Sequence, residues 1–124
     1  MKHIYSFEKL EVWQESRKLV SLIYCLTKKF PELEKFGLSN QMQRAAVSVP
    51  SNIAEGVSRS YLKEQIRFIE IAYGSLMEVY CQLLISLDLG YLKDDELDNA
   101  QQIIFLISNK LNALKNSILS RMKV

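Results

Sequence analysis

LKEQIRFIEIAYGSLMEVYCQLLISL, residues 62–87, is the most regular stretch of this sequence. Its large apolar residues recur in alternating steps of four and three, the heptad spacing of a helix that packs against other helices. The members of this seam are Leu62, Ile66, Ile69, Tyr73, Leu76, Tyr80, Leu83 and Leu87. Outside the seam lie further apolar residues, namely Phe68, Ile71, Ala72, Val79, Leu84 and Ile85. We therefore expect a helix with more than one apolar face, packed against several helices or against another subunit.

Three more segments have helical periodicity, and the capping and helix-breaking residues between them predict where each helix begins and ends. Helix 1 is predicted over about residues 8–30, with Pro31 stopping it, and helix 2 over about residues 40–58, with Ser39 or Asn40 as its cap. Ser60 is predicted to cap helix 3 and Gly90 to end it. Helix 4 follows an acidic cluster in residues 94–98, which suits a helix N-terminus. The expected fold is all-α: one domain, residues 1–124, forming an antiparallel up-and-down four-helix bundle.

Helix 2 has two distinct sides and a proline between them. Its apolar side is Met42, Ala46, Val49, Ile53 and Val57. Its polar side, with Gly56 near the end, is Gln41, Arg44, Ser48, Ser51, Asn52, Glu55 and Arg59. Pro50 lacks an N–H and crowds the preceding turn, so a kinked second helix is expected. The polar side has two interpretations, a structural or intersubunit face and a ligand groove; the small Ala, Ser and Gly residues favour the structural one.

Composition argues against several classes of protein. The net charge of +2 is too small to indicate nucleic-acid binding by itself, and the two cysteines have no metal-ligand spacing. His3 is the only histidine, and the sequence has no Glu-x-x-His pair and no phosphate-binding glycine loop. We therefore expect no enzyme, cofactor, metal or small-molecule substrate. With no signal peptide and no uncharged run long enough to span a membrane, the expected location is the cytoplasm, away from any membrane.

The basic residues are grouped in two places. Arg59, Lys63 and Arg67 follow one another at four-residue steps around the junction of helices 2 and 3. Lys110, Lys115, Arg121 and Lys123 occur after residue 99, where there is no acidic residue. One interpretation is that these charges complement the helix dipoles. The other is a phosphate-binding edge, which would become a ring of positive charge if the chain formed a symmetric oligomer.

Three stretches give the chain a resemblance to a known family. They are FEKLEVWQESRKLVSLIYCLTKKFP (residues 7–31), FGLSNQMQRAAVSVPSNIAEG (36–56) and FIEIAYGSLMEVYCQLLISLDLGYL (68–92). The chain resembles the bacterial four-helix bundle proteins encoded in 23S rRNA intervening sequences, and the run RAAVSVPSNIAEG (44–56) is its most specific motif. The resemblance covers about two-thirds of the chain; helix 4 agrees in pattern only.

The resemblance implies a homopentamer of four-helix bundles, and it implies no established activity. It also extends to the accessory variability determinants of diversity-generating retroelements, whose basic pentameric barrel binds nucleic acid and a reverse transcriptase. The ribosomal-protein label often attached to the family reflects where the genes lie. Our hypothesis is a non-enzymatic oligomer that binds RNA or DNA through basic surface residues. The alternative is a protein-interaction scaffold for a locally encoded partner.

Overall fold

The computed structural model describes residues 2–123, and within them it contains helices and no strands. The helices are α1 (Glu11–Thr27), α2 (Leu38–Val57), α3 (Leu62–Asp88) and α4 (Asp94–Met122), with short 3-10 turns at Ser6–Lys9 and Glu32–Glu34. Each helix packs against the next along the chain, and α4 returns to α1. This arrangement confirms the predicted all-α fold with four helices.

Most of the core is built from stripes of buried residues at helical spacing on α1, α2 and α4. On α1 every residue of the stripe is buried: Val12, Ser16, Leu19, Ile23 and Leu26, with Phe30 just beyond the helix. On α4 the buried residues are Ala100, Ile104, Ile107, Leu111 and Ile118. On α2 the apolar side is buried from Met42 to Ile53, and Val57 is half-buried. Burial of these stripes is the main favourable term for the fold.

The predicted seam of α3 packs against the core along its whole length, but it is deeply buried only at alternate layers. Ile69, Leu76 and Leu83 are buried as expected, but Tyr73, Tyr80 and Leu87 are only half-buried. The positions one residue earlier, Ala72, Val79 and Ser86, are buried in their place. The core-facing stripe is therefore rotated toward α2, where small side chains let the two helices approach closely. The tyrosines lie toward α4, and the Tyr80 hydroxyl accepts a hydrogen bond from Gln101 Nε2 at 3.1 Å.

Two predicted helix caps are also wrong. α2 begins at Leu38, so Ser39 is already inside the first turn, and the Leu38 N–H donates to Glu34 Oε1 at 3.2 Å. α3 begins at Leu62, after Tyr61, and the Tyr61 side chain makes no capping hydrogen bond. The end of α3 is as predicted, because Gly90 has φ +79°, a left-handed conformation that glycine adopts without steric cost.

Close contact between α2 and α3 depends on small residues. A Cβ on Gly56 would lie 2.9 Å from the Cβ of Phe68 and 3.3 Å from the carbonyl oxygen of Gln65, so only glycine fits there. About two helical turns away along the bundle, the Ser48 and Ser75 hydroxyls bond each other at 2.8 Å. α2 is continuous through Pro50, whose side chain is buried.

Within residues 2–123, α3 is the helix with the length and composition needed to cross a membrane, with a mean hydropathy of 1.3 over its most apolar window. Core helices of bundles pass the same test. α3 has such a core role, since Ile69, Leu76 and Leu83 are completely or almost completely buried between α2 and α4. Its high apolarity reflects the two faces that it presents, one to the core and one to the outside.

Candidate nucleic-acid interface

The antiparallel arrangement brings four chain segments to one end of the bundle. α1 and α3 begin there, and α2 and α4 end there. Cross-chain contacts fix the level of each helix: Lys110 of α4 bonds Glu11 at the start of α1, and Lys115 bonds Glu70 in α3. The N-terminal turn joins the same end, since Ser6 and Leu10 line a small groove with Gln65 of α3 and Arg121 of α4.

Charge is divided between the two ends of the bundle. The end just described, residues 2–11, 55–70 and 110–123, holds nine basic and five acidic side chains, and we call it the basic end. The opposite end, residues 28–37 and 85–98, holds four basic and seven acidic side chains, and we call it the acidic end. The chain has a net charge of only +2, so its modest total conceals a strong separation along the bundle axis.

Two of the predicted cations meet in one groove at the basic end. Lys63 and Arg67 lie one turn apart on the exposed side of α3, and they line a groove of about 670 Å³ together with Tyr61 and Ile66. Glu64 and Glu70 lie at the same groove, and Glu70 forms a partly exposed ion pair with Lys115 at 3.0 Å. Within the described residues neither Lys63 nor Arg67 has an ion-pair partner, so both charges face solvent.

Arg59, the third member of this predicted cluster, is held by its own neighbours. Its guanidinium pairs with Glu55 at 3.1 Å, one helical turn earlier, and lies 4.7 Å from the centre of the Phe68 ring. Both contacts are partly exposed, so they orient the side chain more than they remove its charge. Arg59 therefore extends the positive surface beside Lys63 but is less free to move toward a ligand.

The structure separates the four predicted cations of α4 into two pairs. Lys110 bonds Glu11 at 2.6 Å and Lys115 bonds Glu70 at 3.0 Å, so both carry a charge that is already balanced. The hydrogen bond and charge of Lys110 lower the pKa of Glu11, which keeps that carboxylate ionised. Arg121 and Lys123 are exposed at the end of α4 and have no ion-pair partner in the part of the chain that is described.

The polar side of α2 does not converge on one place. Ser48 faces α3, where it bonds Ser75 and accepts a hydrogen bond from Asn52 Nδ2 at 2.9 Å. Pro50 and Ser51 instead line a shallow groove against α1. The remaining members of the motif divide in the same way: Gln41, Arg44 and Glu55 are exposed, and Gly56 is buried against α3. This geometry favours the structural interpretation of the motif over a ligand groove.

Within residues 2–123 there is no group of three His, Cys, Asp or Glu side chains that could hold a metal ion. His3 packs edge-on against Tyr5, with ring centres 4.6 Å apart, and both cysteines, Cys25 and Cys81, are exposed as free thiols.

Tyr61 is the residue of this site that sequence reasoning missed. Ser60 was predicted to cap helix 3, so Tyr61 was placed in the first turn of that helix and received no functional interpretation. The available signal was its place between Arg59 and Lys63, since an aromatic residue between basic ones is a common feature of nucleic-acid-binding surfaces.

Comparison with known proteins agrees with this fold and leaves the activity open. A family model described as 23S rRNA-intervening sequence protein matches residues 8–113. No curated protein matches the chain. One similar solved structure is described as a protein with unknown function from the S23 ribosomal protein family of Bacteroides thetaiotaomicron VPI-5482. Its TM-score is 0.75 and its sequence identity is 20%, and the match covers 84% of this chain and 97% of that one. The fold is thus shared with that protein, and the chain belongs to the family of 23S rRNA-intervening sequence proteins.

Proposed function

We propose that this chain is a non-enzymatic, self-associating protein of the cytoplasm that binds the phosphates of RNA or DNA with the basic end of its bundle. The observation that carries the proposal is the separation of charge: nine basic against five acidic side chains lie at one end. Six of the nine basic side chains project from this end without an ion-pair partner within residues 2–123: Lys2, Lys9, Lys63, Arg67, Arg121 and Lys123. Exposed free thiols suit the reducing cytoplasm.

Self-association is supported by large apolar side chains that are exposed on α3 and on α4. Ile71 and Ile85 are exposed on α3, the latter by 43%, and Phe105 is 55% exposed on α4. Gly74 lies between the two isoleucines, and nothing in the chain requires a glycine there, since a Cβ would meet no atom within 4 Å. A glycine inside an exposed helix costs up to about 1 kcal/mol, which is explained if another subunit packs closely against it.

Cyclic assembly would strengthen the charge effect. In a ring whose axis runs along the bundles, every subunit presents its basic end on the same side. Five copies, the number that the family resemblance implies, would then combine their free cations into one positive surface. Such a surface binds a polyanion much more strongly than one copy does, because several phosphates are engaged at once.

The nucleic-acid proposal is tested by binding of labelled RNA and duplex DNA over a series of salt concentrations. Replacing Arg59, Lys63 and Arg67 together with Ala is expected to weaken binding to all sequences alike and to reduce the slope of log K against log salt by about two to three. The matched control removes three cations from the acidic end, Lys28, Lys35 and Lys93. Equal effects of the two triple variants would refute the assignment to the basic end.

Self-association is tested by light scattering. We expect the wild type to have a multimer's mass, and the double variant Ile85→Ser with Phe105→Ser to have a monomer's mass. Phe36, which is 87% exposed in the connection at the acidic end, supplies the control Phe36→Ser, which should remain a multimer. A monomeric wild type at high concentration would refute self-association.

A protein-interaction scaffold is the second candidate function. The same exposed apolar side chains on α3 and α4 support it, because exposed apolar patches commonly mark contacts with other proteins. A monomer that binds no nucleic acid, but retains a partner encoded nearby through Ile85 and Phe105, would favour this function over the first.

A further inference from the structure

We propose that the groove at the start of α3 binds unpaired nucleotides, with the ring of Tyr61 as a platform on which a base stacks. This inference rests on the proposed function, since it names the form of nucleic acid that the basic end prefers. It predicts that single strands, and loops or ends with unstacked bases, bind better than a duplex of the same length.

Nothing within the bundle accounts for a tyrosine at position 61. The side chain is 72% exposed, so it adds little to the core. Residue 61 precedes the first turn of α3, where Ser, Thr, Asp or Asn would accept a hydrogen bond from the helix. The Tyr61 side chain makes no such bond; only its backbone carbonyl is used, accepting from the Gln65 N–H at 3.1 Å.

The surroundings of Tyr61 suit a nucleotide. The groove beside it has an apolar residue, Ile66, and two cations, Lys63 and Arg67, which are one helical turn apart. One acidic side chain, Glu64, remains unbalanced there, and the groove is positive overall because Glu70 pairs with Lys115. Apolar, aromatic and cationic groups side by side are what a base and its phosphate require together.

The neighbouring aromatic and basic groups are already engaged with each other. Arg59 stacks on Phe68 at 4.7 Å, so the flat face of Phe68 is occupied by a guanidinium. Neither residue lines the groove of Tyr61. Within residues 2–123 the cations that lie over aromatic rings are on Trp13, Phe36 and Phe68, and none is on Tyr61. The ring is therefore the open aromatic surface of this groove.

Stacking on Tyr61 is possible only for a base whose face is uncovered. In a duplex each base is stacked on both sides, so a duplex would touch this end through its phosphates alone. A single strand can add a base contact to the same phosphate contacts, and such a contact typically gives about a 5- to 100-fold gain in affinity. Every base has a flat face, so little sequence preference is expected from this contact.

The test is fluorescence anisotropy with a short labelled RNA strand, a DNA strand of the same sequence, and the DNA duplex. Tyr61→Ala is expected to weaken binding of both single strands about 5- to 100-fold and to leave the duplex nearly unchanged. Tyr61→Phe should retain single-strand binding, because the ring is kept. The salt dependence should be the same in all variants, since no charge is removed.

Phe36→Ala is the matched control, because Phe36 is an exposed aromatic residue at the acidic end, and it should change nothing. Tyr61→Ala that binds single strands as tightly as the wild type, or that weakens strand and duplex equally, would overturn the inference and leave phosphate binding intact. A wild-type protein that binds none of the three probes at low salt would overturn the proposed function and this inference with it. A loss for only RNA or only DNA strands would identify which of the two is bound.

Discussion

Replacing Gly56 with alanine should push α2 and α3 apart. The added Cβ would lie 2.9 Å from the Cβ of Phe68 and 3.3 Å from the carbonyl oxygen of Gln65. The first atom is fixed directly to the backbone of α3 and the second belongs to it, so no side-chain rotation relieves the clash. One helix must shift relative to the other, in the contact that places Tyr61 and Lys63 at the basic end.

The size of the effect follows from two opposing terms. Forcing an extra methyl group into a packed contact costs about 1–3 kcal/mol. Alanine is a better helix former than glycine by about 1 kcal/mol, which offsets part of that cost. We expect a net loss of about 0–2 kcal/mol, the difference between these two terms. Gly74→Ala is the matched control, and both variants are made in the Ile85→Ser, Phe105→Ser protein, which is expected to be a monomer, so that no second subunit packs on Gly74. Within the subunit its Cβ meets no atom within 4 Å, so the same propensity term should raise stability by about 0.5–1 kcal/mol.

Urea unfolding followed by far-UV circular dichroism measures both variants. The comparison requires equal protein concentration and the same mass by light scattering, because assembly adds to apparent stability. The m-values should match that of the wild type, so that a shift of the midpoint reports stability alone. A Gly56→Ala protein as stable as Gly74→Ala would refute the reasoning, because it would mean that the helix contact has room for a side chain.

Three further predictions concern stability. Leu76 is completely buried, so Leu76→Ala should cost about 2–5 kcal/mol in urea unfolding; a loss well under 1 kcal/mol would contradict its place in the core. Gln82 is buried, and its Oε1 has no hydrogen-bond donor in the described part of the chain. Gln82→Leu should therefore raise the unfolding free energy by about 1 kcal/mol. A less stable variant would mean that Oε1 does accept a hydrogen bond in the folded protein. The pKa of Glu96 is lowered, first by a hydrogen bond from Lys29 and then by the backbone N–H of Lys93. The ionised carboxylate therefore stabilises the fold fully at pH values above its unfolded pKa of about 4.3. That stabilisation is lost as the pH falls through the lower pKa of the folded state. The urea midpoint of the wild type should thus exceed that of Glu96→Gln at neutral pH and approach it in acid, and a difference that persists in strong acid would show that ionisation is not its cause.

The helices could be predicted from the sequence because their apolar stripes are long. Gly90 acts locally, through a left-handed backbone, so neighbouring residues suffice to identify the end of α3. The predicted extent of helix 1, about residues 8–30, was too long at both ends, because α1 spans Glu11–Thr27 and ends four residues before Pro31. The caps of α2 and α3 were mispredicted because several residues in a row could cap either helix. The first residue of α2 is instead set by a contact from outside the helix, the hydrogen bond that the Leu38 N–H donates to the carboxylate of Glu34.

The register of α3 could not be predicted because two stripes, one residue apart, are both apolar. Tyr73 and Ala72 compete for the same layer, and sequence reasoning favoured the larger side chain. The structure buries Ala72, since Gly56 and the serines of α2 bring that helix too close for a tyrosine. A rule based on size fails where packing demands small residues on both helices.

The candidate interface was predictable in part. Lys63 and Arg67 could be assigned to one helical face because they are four residues apart. The pairing of Lys110 with Glu11, or of Lys115 with Glu70, joins residues far apart in the sequence, so it follows from helix packing and not from any local pattern. Which cations remain free is therefore a property of the tertiary structure.

The division into a basic and an acidic end gives the molecule a permanent electric dipole along its long axis. In the field of a polyanion such a dipole experiences a torque, so the bundle turns its basic end forward before any contact forms. The range of that torque is set by the Debye length, about 8 Å at physiological ionic strength and about 30 Å in very dilute salt. In the cell the alignment would be confined to the last steps of an encounter, and it would raise the share of collisions that begin with the correct end.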